Sequence, residues 1–181
     1  AGEHSGDQQS ARMVKKLLGQ HPDLRIAALG GDSLAKAGAQ LLFDLTSSSV
    51  VGIVEVIQNF RFFRDIMGET IHWIDTYRPK IVCLVDYPGF NLRLAKKLYE
   101  LGISRMSGGE IKIVYYISPQ IWAWKAKRRF TMARYLDALA VIFPFEVDCY
   151  KDTDLKVSFV GHPFVEENYE SPVVWNPSGP L

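Results

Sequence analysis

The sequence predicts an α/β fold: a Rossmann-like, doubly wound, mainly parallel sheet with helices on both faces. Three observations predict it. Short apolar runs alternate with stretches of helical periodicity along nearly the whole chain, the pattern of right-handed βα units. The run Ile81-Val82-Cys83-Leu84-Val85 is continuously apolar, as expected of a strand buried on both faces of a parallel sheet. Four loops with reactive or ligand-binding residue types stand where strands end, the edge at which parallel sheets hold ligands.

Taken in order, residues 1–7 read as a strand-to-helix turn, with Ser5 or Asp7 as helix cap. Ala11, Val14 and Leu18 then recur at helical spacing over 7–19. Residues 24–29 are a short strand, Gly30-Gly31-Asp32 a turn and cap, and a brief helix stops at Gly38. A strand over 39–43 and a polar loop, Thr46-Ser47-Ser48-Ser49, lead into the longest helical pattern, 52–77. On that helix Ile53, Val56, Ile57, Phe60, Met67, Ile71 and Ile74 share one face, while Phe62, Ile66 and Trp73 fall opposite, where solvent is expected. A helix apolar on two sides predicts either a second partner or cover from neighbouring loops.

The central strand 81–85 is followed by Asp86-Tyr87-Pro88-Gly89 and a helix from about Asn91 to the residue before Gly102. A loop over 102–109 precedes a strand over 111–117. Next come a loop with Trp122 and Trp124 and a helix opened by Lys125, Lys127, Arg128 and Arg129 that runs to Tyr135. A strand over 136–143, a short helix to about Lys151 and a last strand over 157–160 complete the alternation. No strand precedes residue 1, so the expectation is a fragment whose sheet carries a gap. Pro172, Pro177 and Pro180 mark 167–181 as a tail or linker.

Composition narrows the function classes. The chain has 181 residues, 48% hydrophobic and 23% charged, with net charge +1. Such a balance gives no global attraction to nucleic acid, so any anion site is local. Two cysteines, one in the central strand, disfavour a disulfide framework and suit a reducing cytoplasm. No uncharged apolar run approaches the ~18 residues of a membrane span. Gly30-Gly31 lacks the dinucleotide fingerprint, the P-loop lysine is absent, and no Gly-x-Ser-x-Gly elbow appears. No cluster has metal-ligand spacing, so neither metal nor cofactor is expected.

The candidate site lies in four loops: Glu3, Ser5, Gly6 and Asp7; Asp86 and Asn91; Ser118, Pro119, Trp122, Trp124, Lys125 and Arg128; and His162. Asp86 suits a general base, because burial raises a carboxyl towards working pH, but a strand-end Asp more often caps the following helix. Glu3 suits pairing with a nearby cation, and His4 and His162 suit hydrogen bonds to backbone carbonyls. Two tryptophans one residue apart point to opposite sides of an extended segment, so one packs inward and the other faces a ligand. The cations after them suit a phosphate, although a solvated helix face accounts for about half of such charges.

Several separated motifs make the sequence resemble the lipid-A-disaccharide synthases. These are Ala-Gly-Glu-x-Ser-Gly-Asp at 1–7, Gly-Ile-Val-Glu-Val at 52–56 and Asp-x-Pro-x-Phe-Asn at 86–91. Further along stand Tyr-Ile-Ser-Pro-Gln-Ile-Trp-Ala-Trp at 116–124, Phe-Pro-Phe-Glu at 143–146 and Val-Gly-His-Pro at 160–163. The resemblance implies an inverting GT-B glycosyltransferase that joins UDP-2,3-diacylglucosamine to 2,3-diacylglucosamine 1-phosphate, forming a β-1′,6 disaccharide and releasing UDP without a required metal. It implies that residues 1–166 are the acceptor-binding half and that the UDP-binding domain lies outside this chain. It makes Asp86 the base towards the acceptor's 6-hydroxyl, and the family's frequent second acidic residue is replaced here by Gly89. Val51, Ile53, Val54, Ile57, Phe60, Phe62 and Phe63 become an acyl-chain route or bilayer-docking face, with Arg61 and Arg64 meeting lipid phosphates. The implied location is the cytoplasmic face of the bacterial inner membrane, peripherally bound, with a homo-oligomer as an option. The alternatives are a non-catalytic module binding acylated sugar phosphate or membrane, and a nucleotide-sugar epimerase.

Overall fold

Strands and helices alternate in the order β1 (Ala27–Gly30), β2 (Gln40–Asp44), β3 (Ile81–Val85), β4 (Lys112–Tyr116), β5 (Ala138–Val141) and β6 (Lys156–Phe159). Between them lie α1 (His4–Gln20), α2 (Asp32–Lys36), α3 (Ile53–Tyr77), α4 (Pro88–Glu100) and α5 (Arg128–Tyr135), with 3₁₀ turns at Arg105–Ser107 and Pro144–Tyr150. The structure, a computed structural model, describes residues 1–46, 53–163 and 165, with the backbone alone over 53–61. The expected tail at 167–181 and the 47–52 stretch lie outside these residues, as do the side chains of Val54, Phe60 and Arg61.

Every described strand pair is parallel, and helices flank both faces, as the alternation requires. The pairing forms two sheets, β1-β2 and β3-β4-β5-β6, and β1 does not pair with β3. Among the described residues the pairing is interrupted between these two strands, with Ala1 N 2.8 Å from the Leu29 carbonyl oxygen beside the break.

Two cores result. The larger gathers Leu84, Phe90, Leu94, Leu98, Ile113, Leu139, Val141 and their neighbours between β3–β6 and the helices α3, α4 and α5; the smaller holds only Val14, Leu34 and Ala39 as fully buried residues. Each fully buried aliphatic side chain contributes about 1.5–3 kcal/mol over its exposed state, so the larger core carries most of the stability.

Several expectations are corrected. Strand β3 is not buried on both faces: Leu84 and Val85 are buried, but Ile81 is 55% exposed and Cys83 is exposed. It is an edge strand, so the side next to the gap lacks cover. The strand predicted over 136–143 is shorter at both ends. It stops at Val141 because the buried Glu146 carboxylate accepts the Ile142 and Phe143 N–H groups at 3.1 and 3.0 Å, which removes them from the ladder. Helix α5 starts at Arg128 rather than Lys125, whose φ of 60° places it in a left-handed turn.

The two apolar stripes of α3 are flanks of one wide face, not two faces. Phe63, Ile66, Thr70 and Ile74 lie inward, and Phe62, Met67, Ile71 and Trp73 pack half-buried along the edges of the same core. At roughly 100° per residue that face covers about half the helix circumference. Phe62 and Phe63, predicted to meet acyl chains or a bilayer, belong to an aromatic chain. Phe43 touches Phe62 at 5.4 Å, Phe62 touches Phe63 at 5.6 Å, and Phe63 lies 6.1 Å from Tyr87 and 6.3 Å from Phe90. Arg64 is exposed beside Asp65 at 3.3 Å. Among the described residues no helix is long and apolar enough to cross a membrane.

Candidate functional site

The end of β3 is the best-held part of the molecule's upper rim. Asp86 and the following Tyr87 both have positive φ, 47° and 44°, a conformation that costs a side-chain-bearing residue about 1–2 kcal/mol. Three hydrogen bonds hold the strained turn. The Asp86 N–H donates to the Tyr116 carbonyl at 3.2 Å, which extends the β3-β4 ladder by one rung. The Asp86 carbonyl accepts from Asn91 Nδ2 at 2.6 Å and from the Tyr115 hydroxyl. Asn91 is buried and its amide also donates to the Val85 carbonyl at 3.0 Å, so one side chain grips two successive peptide groups.

The Asp86 side chain contrasts with this backbone. It is half-buried, and its carboxylate makes no hydrogen bond or ion pair with any described residue. Nor does it cap α4: the cap position is Tyr87, with no side-chain bond, and Pro88 supplies the first helical φ. Tyr115 is fully buried beneath it, and burial pushes its phenol far up, against the bond from Asn91; the Asp86 charge adds to the rise and the Arg128 charge opposes it.

The first predicted loop packs on this turn. A Cβ at Gly2 would fall 2.4 Å from the Tyr87 ring, so only glycine lets the two loops meet there. A Cβ at Gly6 would sit 3.9 Å from that of Asp86. Glu3 and Ser5 are exposed, and burial followed by the Glu3 charge raises the Tyr87 phenol. The expected cap by Ser5 or Asp7 is replaced: Glu3 occupies the α1 cap position without a side-chain bond. Asp7 does something else. It is 1% exposed, and its two oxygens accept the Gly31 N–H at 2.7 Å and the Ser33 N–H at 3.0 Å.

Two further loops close the rim. Ser118 and Pro119 are buried, and the Ser118 hydroxyl lies 2.9 Å from that of Tyr150. Burial pushes the Tyr150 phenol up to about 12. Trp122 and Trp124 do not lie on an extended segment, and neither points inward: the chain turns over 121–124 and both rings stay exposed, at 47% and 63%. Trp122 packs edge-on against Phe145 at 5.4 Å, Phe145 stacks on Phe143 at 5.6 Å, and Phe143 meets the His162 ring at 5.4 Å. Trp124 carries Lys125 Nζ 4.3 Å above its ring, with the Arg128 guanidinium at 5.9 Å. Arg129 instead pairs with Asp152, Nε to both carboxylate oxygens at 2.7 and 2.9 Å. Arg12 of α1 donates to the Pro163 carbonyl at 3.1 Å, which ties the His162 loop back to the first one.

The four predicted loops therefore gather on one edge of the sheet: Gly2 packs on Tyr87, the Trp122, Phe145, Phe143 and His162 rings join the last two, and Arg12 of α1 reaches Pro163. Tyr115 and Tyr150 escaped the sequence reading, because nothing in an alternating Tyr115-Tyr116 pair says which ring reaches a carbonyl one strand away. Among the described residues no group of three or more His, Cys, Asp or Glu side chains is placed to hold a metal ion. The arrangement presents the Asp86 carboxylate, unengaged among the described residues, on a fixed backbone at the same sheet edge as exposed aromatic rings and cations. Such a site can take a proton from a neutral hydroxyl held against it.

Comparison with known proteins assigns the pattern. A family profile described as Lipid-A-disaccharide synthetase matches residues 1–173. Lipid-A-disaccharide synthase 1 of Legionella pneumophila (strain Philadelphia 1) is 46% identical over 168 residues, 92% of this chain and 42% of the relative. The lipid-A-disaccharide synthase of Nitrosococcus oceani is 40% identical over 167 residues, 92% of this chain and 41% of the relative. That of Coxiella burnetii (strain Dugway 5J108-111) is 38% identical over 163 residues, 90% and 41%. The chain spans about two fifths of the length of the curated relatives it matches.

Proposed function

Because the chain belongs to the lipid-A-disaccharide synthetase family, we propose that it is the acceptor-side part of a glycosyltransferase in which Asp86 is the general base. The observation that carries the proposal is the division within one residue: the Asp86 backbone is held by three hydrogen bonds while its carboxylate is left unengaged. A cap or a structural ion pair would occupy those oxygens.

In the proposed reaction the 6-hydroxyl of an acylated glucosamine 1-phosphate lies against the Asp86 carboxylate, which takes its proton. The hydroxyl oxygen attacks the anomeric carbon of UDP-2,3-diacylglucosamine from the face opposite the nucleotide. The anomeric C–O bond breaks with its electron pair going to UDP, and the configuration inverts. The donor sits on a second domain outside this chain. Exposed Trp122 and Trp124 offer sugar-stacking faces, and Lys125 and Arg128 stand ready for a phosphate. Glu3, Ser5, Asn91 and His162 line or support the same rim, and Asp7 acts through the loop it holds.

Peripheral attachment at the cytoplasmic face of the inner membrane remains part of the proposal. Its contact surface is the α3 set the resemblance implies, of which Phe62 and Phe63 pack half-buried against the core and Arg64 is exposed. The test uses full-length protein with Asp86→Ala. It should bind the acylated acceptor as the parent does and transfer no sugar from the UDP donor. Normal turnover by this variant would remove the base assignment and leave a binding module.

A further inference from the structure

Beside the Asp86 turn, α4 and the 125–131 segment flank an open groove of about 810 Å³. We infer that this groove is the subsite for the acceptor's phosphate monoester, held between Arg93 on α4 and Lys125, Lys127 and Arg128 on the facing turn; the inference rests on the proposed reading of Asp86.

Charge is the first support. Five cations line the groove, Arg93, Lys96, Lys125, Lys127 and Arg128, and no carboxylate does. Elsewhere on the described surface some cations stand beside acids, Lys36 with Asp32, Arg78 with Asp75, Lys97 with Glu100, Arg129 with Asp152 and Lys151 with Asp148, and others, such as Lys15, Lys80 and Lys156, do not; the groove is set apart because its cations share one cavity. In the groove only Lys96 has such a partner, Glu100 at 3.5 Å. A chain of net charge +1 thus concentrates four cations without an acidic partner in one groove. Like charges so placed repel one another unless an anion sits among them. A phosphate monoester carries close to two negative charges at neutral pH and offers three acceptor oxygens, which suits this excess better than the single charge of a diester.

Shape and position are the second support. Leu92 and Tyr135 give the groove an apolar floor, and its volume lies within the range of small-ligand sites. Pro88 and Gly89, which follow Asp86 directly, form its upper lip. The Gly89 position has open space around it, so no side chain narrows the lip there. Arg128 reaches the same region: its charge acts on the phenols of both Tyr115 and Tyr150. A hexosamine with its phosphate in the groove would present its far end to Asp86.

The test uses full-length protein carrying Arg93→Ala with Lys127→Ala; both residues are exposed, and a melting curve checks the fold. KM for acylated glucosamine 1-phosphate should rise at least tenfold, with kcat and the donor KM within twofold. For the same acceptor without its phosphate, parent and variant should have equal KM. Binding to phosphatidylglycerol vesicles should not change. An unchanged acceptor KM, or an equal loss with the phosphate-free acceptor, overturns the subsite. Vesicle binding that falls in step with the acceptor makes the groove a lipid-headgroup surface instead. Acceptor binding measured in Asp86→Ala separates the two readings: a loss of affinity on adding Arg93→Ala supports the groove even if Asp86 proves not to be the base.

Discussion

Asp7 and Asp86 are the same residue on the same edge of the sheet, two loops apart, and the structure uses them in opposite ways. Asp7 is 1% exposed with both oxygens committed to the Gly31 and Ser33 amides, so its charge holds the β1–α2 turn. Asp86 is half-buried; its peptide group is bound on both sides and its carboxylate is left open. A carboxylate whose lone pairs are filled by backbone donors stabilises a fold. One whose main chain is fixed while its side chain waits is arranged for a ligand, and strain at its φ of 47° says the surroundings enforce that arrangement.

Removal of each carboxylate should separate the two roles. The largest effect is expected from Asp86→Asn in the full-length protein: transfer falls by about 10²–10⁴, the usual worth of a positioned base, and the melting temperature stays within a degree or two. A comparable loss of stability would place Asp86 with Asp7. Next comes Asp7→Ala, which strands the buried Gly31 N–H and the partly buried Ser33 N–H that a charged acceptor had satisfied. It should destabilise by about 3 kcal/mol in denaturant melts, with activity of the surviving folded fraction reduced far less than in Asp86→Asn. A Tyr115→Phe change is smaller. It removes one of two donors to the Asp86 carbonyl, should cost about 1 kcal/mol, and should lower kcat more than it raises KM, because the carboxylate is then less firmly aimed. Unchanged kcat would mean that Asn91 alone holds the turn.

A further effect is on the alkaline side. Unfolded tyrosine titrates near 10, whereas burial pushes Tyr150 up to about 12 and Tyr115 further. The native state keeps these protons after the unfolded chain has lost them, so stability falls as pH rises from about 10 towards 12. Melts at stepwise pH should show that decline, and Tyr150→Phe should flatten it. The decline should be accompanied by loosening of the Asp86 rim before the Asp7 turn, read by hydrogen exchange at Asn91 and Gly31.

Much of this was legible in the chain. Alternation of apolar runs with helical periods gave the parallel sheet, because each βα unit writes its own pattern. Sheet topology then brings strand ends together whatever their distance in sequence, so the four loops fell on one edge as expected. What needed coordinates was any property set by neighbours. The period of α3 located Phe62 and Ile66 but not the breadth of the core they meet. Glu146 ended β5 early by taking two amides, a contact no local pattern encodes. The tryptophan pair belonged to a turn rather than an extended segment. Arg93 was invisible as a groove residue because its partners lie more than thirty positions later.

The unpaired edges of β1 and β3 make Cys83 a natural gauge. It is exposed on the β3 edge, and desolvation holds its thiol up at about 11. At neutral pH it stays protonated and alkylates slowly; a maleimide should couple faster as pH climbs. A strand lodged between those edges would shut the reagent out, so the labelling rate of one sulfur would tell whether the sheet is continuous in a longer form of the protein.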